Sequence, residues 1–131
     1  MTLSSISDHD VSSEKYLRGK YSICGVGETT YRRGSEESTR SLATWAISNA
    51  MADAGMKPED VDGMLSYSGN DSTHAPWVAG DLGIRLNFYM DVHGGGSSTE
   101  ALIGIAMGVI EAGMCKTCLL YTSPSPRDLT T

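Results

Sequence analysis

Residues Met90 to Gly113 read MDVHGGGSSTEALIGIAMGVIEAG. An apolar run ends in a histidine, three glycines and two serines, and a second apolar run follows without a break. The spacing predicts a helix over Thr99–Ala112. Ala101, Leu102, Ile103, Ile105, Ala106, Met107, Val109 and Ile110 cover every face of that helix, and a helix that is apolar all round is buried all round. Gly104 and Gly108 lie four apart, so one face admits a neighbouring backbone at close range. The run is too short to span a membrane, which takes about 20 apolar residues.

Working outward, Leu86–Val92 predicts a strand that enters the glycine turn. Trp77–Leu82 predicts one or two helical turns, and Val61–Tyr67 an earlier strand. Thr39–Ala54 predicts a helix, because Leu42, Ala43, Ala46, Ile47, Ala50, Met51 and Ala54 form one apolar stripe. Ser38 is its expected N-cap and Gly55 its terminating glycine. Lys57–Asp60 reads as a short helical turn with Pro58 in the first turn. Tyr21–Val26 is a further strand candidate, and Thr117–Tyr121 begins another. Strands alternating with helices point to an α/β fold with a mostly parallel sheet. A helix buried on every side needs a layer on each side of it. A chain of 131 residues supplies one sheet and hardly a second, so the chain is expected to be truncated.

The end of the chain supports that expectation. Cys118–Asp128, CLLYTSPSPRD, resembles the in-frame translation of a transposase-type sequencing adapter. The expected organisation is a disordered arm at 1–16, a partial domain at 17–117 and a non-native tail at 118–131. On this reading Cys118 has no biological role, and the C-x-x-C spelled by Cys115 and Cys118 is set aside.

Composition narrows the function classes. Hydrophobic residues make up 40% of the chain and the net charge is −6, which fits a globular domain and offers no basic patch for nucleic acid. The first sixteen residues are polar and form no secretory signal. Three cysteines make no disulfide framework, so a reducing cytoplasm is expected. No His, Cys, Asp and Glu cluster has metal-ligand spacing. GVGETT at Gly25–Thr30 follows a strand but lacks the third glycine of a dinucleotide loop. His93–Gly96 spells the HGGG of esterase oxyanion holes without the G-x-S-x-G elbow that reading needs. Cys24 is expected buried in its strand and Cys115 is expected to pack. Trp45 and Trp77 are expected to bridge the surface or join the core. His74, in a polar loop with Asp71, is a candidate ligand contact.

The glycine turn remains. A strand, an elbow and a helix end present several free N–H groups at the positive pole of a helix, a place for an anion, an oxyanion or a carbonyl oxygen. The glycines permit close approach of a ligand. A tight turn made only for packing is the other reading.

Over Leu17–Thr117 the chain resembles the N-terminal half of the thiolase superfamily. The resemblance rests on GVGETTYRRG, on ATWAISNAMADAGMKPEDVDGM and on MDVHGGGSSTEALIGIAMGVIEAGMCKT. It is nearest to the sterol-carrier or lipid-transfer type. The resemblance implies an α-β-α-β-α layered fold, with Thr99–Ala112 as the central helix between two sheets. It implies a nucleophilic cysteine at the start of that helix. Counted back from the helix this position is Gly95, and counted forward from the strand it is Gly96. Neither is cysteine. Ser97 or Ser98 could substitute only with a positioned base, and His93 stands on the strand side of the turn.

A cysteine-less elbow is similar to that of the lipid-transfer-type aldolases of steroid side-chain breakdown. The resemblance therefore implies carbon–carbon cleavage of a bulky acyl-CoA without an acyl-enzyme. The N–H groups of Gly95, Gly96 and Ser97 would border the acyl carbonyl. A coenzyme A thioester is the substrate, and no separate cofactor is expected. The implied assembly is a homodimer with a zinc-ribbon and OB-fold partner protein. The general acid or base belongs to the C-terminal half of such a protein. Three readings stand open: a carbon–carbon lyase, an acyl-CoA acyltransferase with another nucleophile, and a non-catalytic thiolase-like subunit.

Overall fold

The structure is a computed structural model that describes residues 17–30, 38–67, 73–94 and 97–122. Helix α1 spans Thr39–Ala54. Its start is fixed by Ser38, whose hydroxyl accepts the Ser41 N–H at 3.1 Å. It ends at Gly55, which has φ 68° and returns its N–H to Ala52, a left-handed cap that glycine adopts without strain. A single 3-10 turn at Pro58–Asp60 follows. Strand β1 is Gly63–Tyr67, α2 is Ala75–Leu82, β2 is Phe88–Val92, α3 is Ser98–Glu111 and β3 is Cys118–Tyr121.

The three strands form one parallel sheet in the order β2-β1-β3. Central β1 is buried over Gly63–Ser66, as a strand covered on both faces must be. Alternation along β1 divides the core in two. Met64 faces Ile47 and Met51 of α1 and Val78 and Ala79 of α2. Leu65 faces Leu102 and Ala106 of α3. The result is helix, sheet, helix. At the amino end of the sheet, Asp62 ties both outer connections to the centre. Its carboxylate accepts the N–H groups of Lys116 and Thr117 at 2.9 Å, and its backbone oxygen accepts that of Asn87 at 2.7 Å.

Two expectations change. Residues 21–26 form no strand. The chain there is held by helices instead. Lys20 pairs with Glu111 at the end of α3 at 2.8 Å, and Tyr21 also bonds Glu111. Farther on, the Val26 N–H bonds Asp53 and the Glu28 oxygen bonds Asn49, both on α1. Gly25 and Gly27 make this approach feasible: a Cβ at Gly27 would lie 2.3 Å from the Ala46 oxygen. Consequently Cys24 is exposed rather than buried. As expected of a chain that supplies one sheet, α3 is covered on one side only. Leu102 is fully buried, whereas Ile103 on another face is 46% exposed, because one sheet covers one face. Both tryptophans take the surface placement, one of the two expected for them, Trp45 on α1 and Trp77 on α2.

Between the 20–29 segment and the outer edge of β3 lies an apolar groove of about 1040 Å³, bordered by α1 residues such as Ala46 and α3 residues such as Met107. Strand β3 itself is built from CLLY, four residues apolar enough to pair with β1. The expected arm at 1–16 and the tail beyond Thr122 lie outside the described residues. Among the described residues no helix is long and apolar enough to cross a membrane.

Candidate functional site

Parallel strands put their carboxyl ends on one rim, and in open α/β sheets ligands bind outside that rim. Here β2 delivers Asp91 and Val92, the chain passes His93 and Gly94, and α3 begins at Ser98. Gly95 and Gly96, the two positions expected to match a family nucleophile, lie outside the described residues. Their flanks are defined. His93 and Ser97 are exposed. Gly94 approaches α3 closely enough that a Cβ on it would lie 2.9 Å from the Ser98 hydroxyl. Ser98 is buried, so its hydroxyl is turned inward against that glycine. Ser97 occupies the N-cap position but its side chain makes no cap bond. The first N–H groups of α3 are therefore not taken by that hydroxyl, and the positive end of the helix dipole faces the elbow.

On the α2 side of the same rim stands a polar network that sequence reading missed. Asp91 accepts a hydrogen bond from the Ser66 hydroxyl and the N–H of Ala75 at 2.9 Å. Both use the same carboxylate oxygen, Oδ1. The other oxygen lies 3.4 Å from Nδ1 of His74. Asp91 thus supplies the N-terminal cap of α2 from a neighbouring strand, while the His74 side chain makes no cap bond. Beneath it, Tyr121 donates to the Thr73 oxygen, and the Thr73 and Thr39 hydroxyls are 3.1 Å apart. Burial raises the Tyr121 phenol above its ordinary pKa. The signal was present in LNFYMDV: one carboxylate in an apolar strand must find donors. The partner expected for His74, Asp71, lies outside the described residues.

None of the three thiols is at the elbow. Cys115 is buried, as expected, and fits against Gly63, where a Cβ would come within 2.6 Å of its sulfur. Burial above all, and then Cys115 nearby, pushes the Cys118 thiol up to about 12. Both thiols stay protonated at neutral pH, and a protonated thiol is a poor nucleophile. Among the described residues no group of His, Cys, Asp and Glu could hold a metal ion. The described part of the elbow can donate backbone hydrogen bonds to a carbonyl oxygen, and it contains no thiol.

No protein-family model matches the chain. It is 32% identical over 112 residues to the 17-hydroxy-3-oxo-4-pregnene-20-carboxyl-CoA lyase of Mycobacterium tuberculosis, a match covering 85% of this chain and 29% of that protein. Among solved structures, the Ltp2-ChsH2(DUF35) aldolase superposes with a TM-score of 0.71 at 32% identity, over 76% of this chain and 26% of that one. A monomeric SCP2-thiolase like protein type 1 from Mycobacterium smegmatis superposes with a TM-score of 0.64 at 27% identity, over 79% and 23%. The chain thus spans under a third of the length of the lyase it matches.

Proposed function

The chain belongs to the thiolase superfamily, and on that premise we propose that it is the N-terminal portion of a longer acyl-CoA carbon–carbon lyase of the retro-aldolase type. The observation that carries this reading is an elbow between β2 and α3 with no cysteine from His93 to Thr99. Without a thiol the elbow offers only hydroxyls, which need a positioned base to take an acyl group from coenzyme A, and this disfavours the two-step transfer route. The donors proposed for the acyl carbonyl are the N–H groups of Gly95, Gly96 and Ser97, the last at the N-cap of α3. Donors of this kind, aimed at a developing oxyanion, are worth about 3 kcal/mol each. They polarise a thioester carbonyl, so that when a base takes the β-hydroxyl proton the Cα–Cβ bond breaks, the β-carbon leaves as a carbonyl and the electrons pass into an enolate at that oxygen, which is then protonated at Cα. His93 borders the same turn on the strand side.

The similarity to a pregnene-carboxyl-CoA lyase supports a bulky, steroid-like acyl group. The Ltp2-ChsH2 aldolase supports a second protein component, which on this reading carries the zinc ribbon and OB fold. A homodimer is proposed through β2, whose outer side has no strand partner among the described residues and whose Tyr89 and Met90 are exposed. A cytoplasmic setting fits the free thiols.

The test uses the full-length protein, obtained by reading its gene past Thr117. After incubation with labelled acyl-CoA and denaturation, intact mass should show no acyl adduct, while β-hydroxyacyl-CoA should be cleaved. An adduct mapped to Ser97 would establish a serine acyltransferase instead. Binding with neither cleavage nor adduct would establish the non-catalytic subunit.

A further inference from the structure

We propose that His74 is a specificity-determining contact for the acyl-CoA ligand, reading a polar substituent of the acyl group from the α2 side of the rim; this rests on the reading of the site as an acyl-CoA site. Three features of the structure point to it. His74 immediately precedes α2, at the carboxyl end of β1, and β1 neighbours the strand that carries the elbow. Adjacent strands stand about 4.8 Å apart, so the two loops share one rim.

The imidazole is also oriented. Asp91 cannot swing, because Oδ1 is fixed by Ser66 and by the Ala75 N–H. Its Oδ2 faces His74 Nδ1 at 3.4 Å, and the Trp77 ring stands edge-on to the imidazole at 5.7 Å. With Nδ1 turned toward this carboxylate, Nε2 is turned away from it.

The third feature is that Nε2 has no partner among the described residues, and the side chain is 55% exposed. Around it the other charged groups are engaged: Arg40 of α1 pairs with Asp81 of α2 at 2.5 Å and stands over Trp77. An exposed histidine with one nitrogen turned toward a fixed carboxylate and the other engaged by no described residue, at the carboxyl-end rim of the sheet, can hydrogen-bond a hydroxyl or carbonyl. A ligand with such a group and one without it should therefore be told apart here.

The experiment compares two non-cleavable thioether analogues, one of a β-hydroxyacyl-CoA and one of the corresponding acyl-CoA lacking the hydroxyl. Calorimetry on the full-length protein gives Kd for wild type, His74→Ala, His74→Gln and Asp91→Asn. Wild type should prefer the hydroxylated analogue about tenfold, the worth of one hydrogen bond. His74→Ala should lose that preference with an unchanged melting temperature, and His74→Gln should restore part of it. Asp91→Asn should reduce it by removing the charge that Nδ1 faces. In wild type the His74 Nε2 nitrogen resonance should shift on adding the hydroxylated analogue. An unaltered preference in His74→Ala, or a resonance that does not move, overturns the inference. Failure of the lyase reading shows separately, as a wild type that binds both analogues and cleaves no substrate. If wild type binds neither analogue, both readings fall.

Discussion

At the scale of single residues, burial separates the three cysteines by reactivity. Cys24 is exposed on a segment that belongs to no strand, while Cys115 is buried and Cys118 lies beside it in β3. Burial, the largest cause for both buried-side thiols, raises Cys115 and takes Cys118 to about 12. At pH 8 iodoacetamide should therefore label Cys24 at least tenfold faster than the other two, read by peptide mass, and equal rates would contradict the packing described. The same shifts set the alkaline limit of the fold. A thiol or phenol whose folded pKa exceeds its unfolded value stabilises the fold below the unfolded value and loses that contribution as pH rises through the folded one. For Cys118, from an ordinary 9.0 to about 12, the melting temperature should hold below pH 9 and fall progressively above it. Tyr121, raised in the same direction by burial, steepens the fall.

At the scale of elements, the 20–29 segment depends on two glycines. A Cβ at Gly27 would meet the Ala46 oxygen and Ala50 nitrogen at 2.3 Å, and one at Gly25 would meet the Ala50 oxygen at 2.6 Å. Backbone atoms of a helix interior cannot retreat, so Gly27→Ala should release the segment from α1. Protease cleavage between Lys20 and Thr30 should rise by an order of magnitude or more, while α1 and the sheet stay protected; unchanged cleavage would show that the contact is not maintained. This segment also marks where sequence reading ran out. Helix α1 was legible to the residue, because stripe, Ser38 and Gly55 all agreed on Thr39–Ala54. The strands at 63–67, 88–92 and 118–121 were legible within two residues, since apolar runs between polar turns allow little else. YSICGV has the same local pattern yet forms no strand. Pairing is a property of the neighbour, and the facing edge of β3 lies across a groove. The glycine elbow was legible as the strand-to-helix turn between β2 and α3 by its composition. The Asp91 network was not, because Ser66, Thr73, His74 and Tyr121 are brought together only by the parallel register of β1 with β2 and β3.

At the scale of the whole molecule, the apolar surface is distributed as in a protein with further layers to pack. Ile103 is 46% exposed on the flank of α3 that borders the apolar groove, and Tyr89, Met90 and Met114 are exposed as well. Full burial of one large apolar side chain is worth roughly 1.5–3 kcal/mol. Several left open forfeit an amount comparable with the 5–15 kcal/mol that holds an ordinary domain together. Two parallel edges add to this, since β2 and β3 each have one strand partner among the described residues, and an unpaired edge is a template for another chain. Alone, the 131-residue chain is expected to self-associate rather than remain a 14.0 kDa monomer. Light scattering after size exclusion should report a mass of at least two chains, together with strong binding of a hydrophobic dye. Heating should give a broad transition, as packing of α3 on one side leaves little cooperativity between the two halves of the core. The substitutions Ile103→Lys and Met107→Lys, on α3 and away from buried Leu102 and Ala106, test the cause. If the open face of α3 drives association, the double variant should shift the mass toward one chain without loss of helix signal. Association that persists unchanged would assign it to the strand edges, and a monodisperse wild-type monomer with a sharp melt would show that this chain is stable with α3 half-covered.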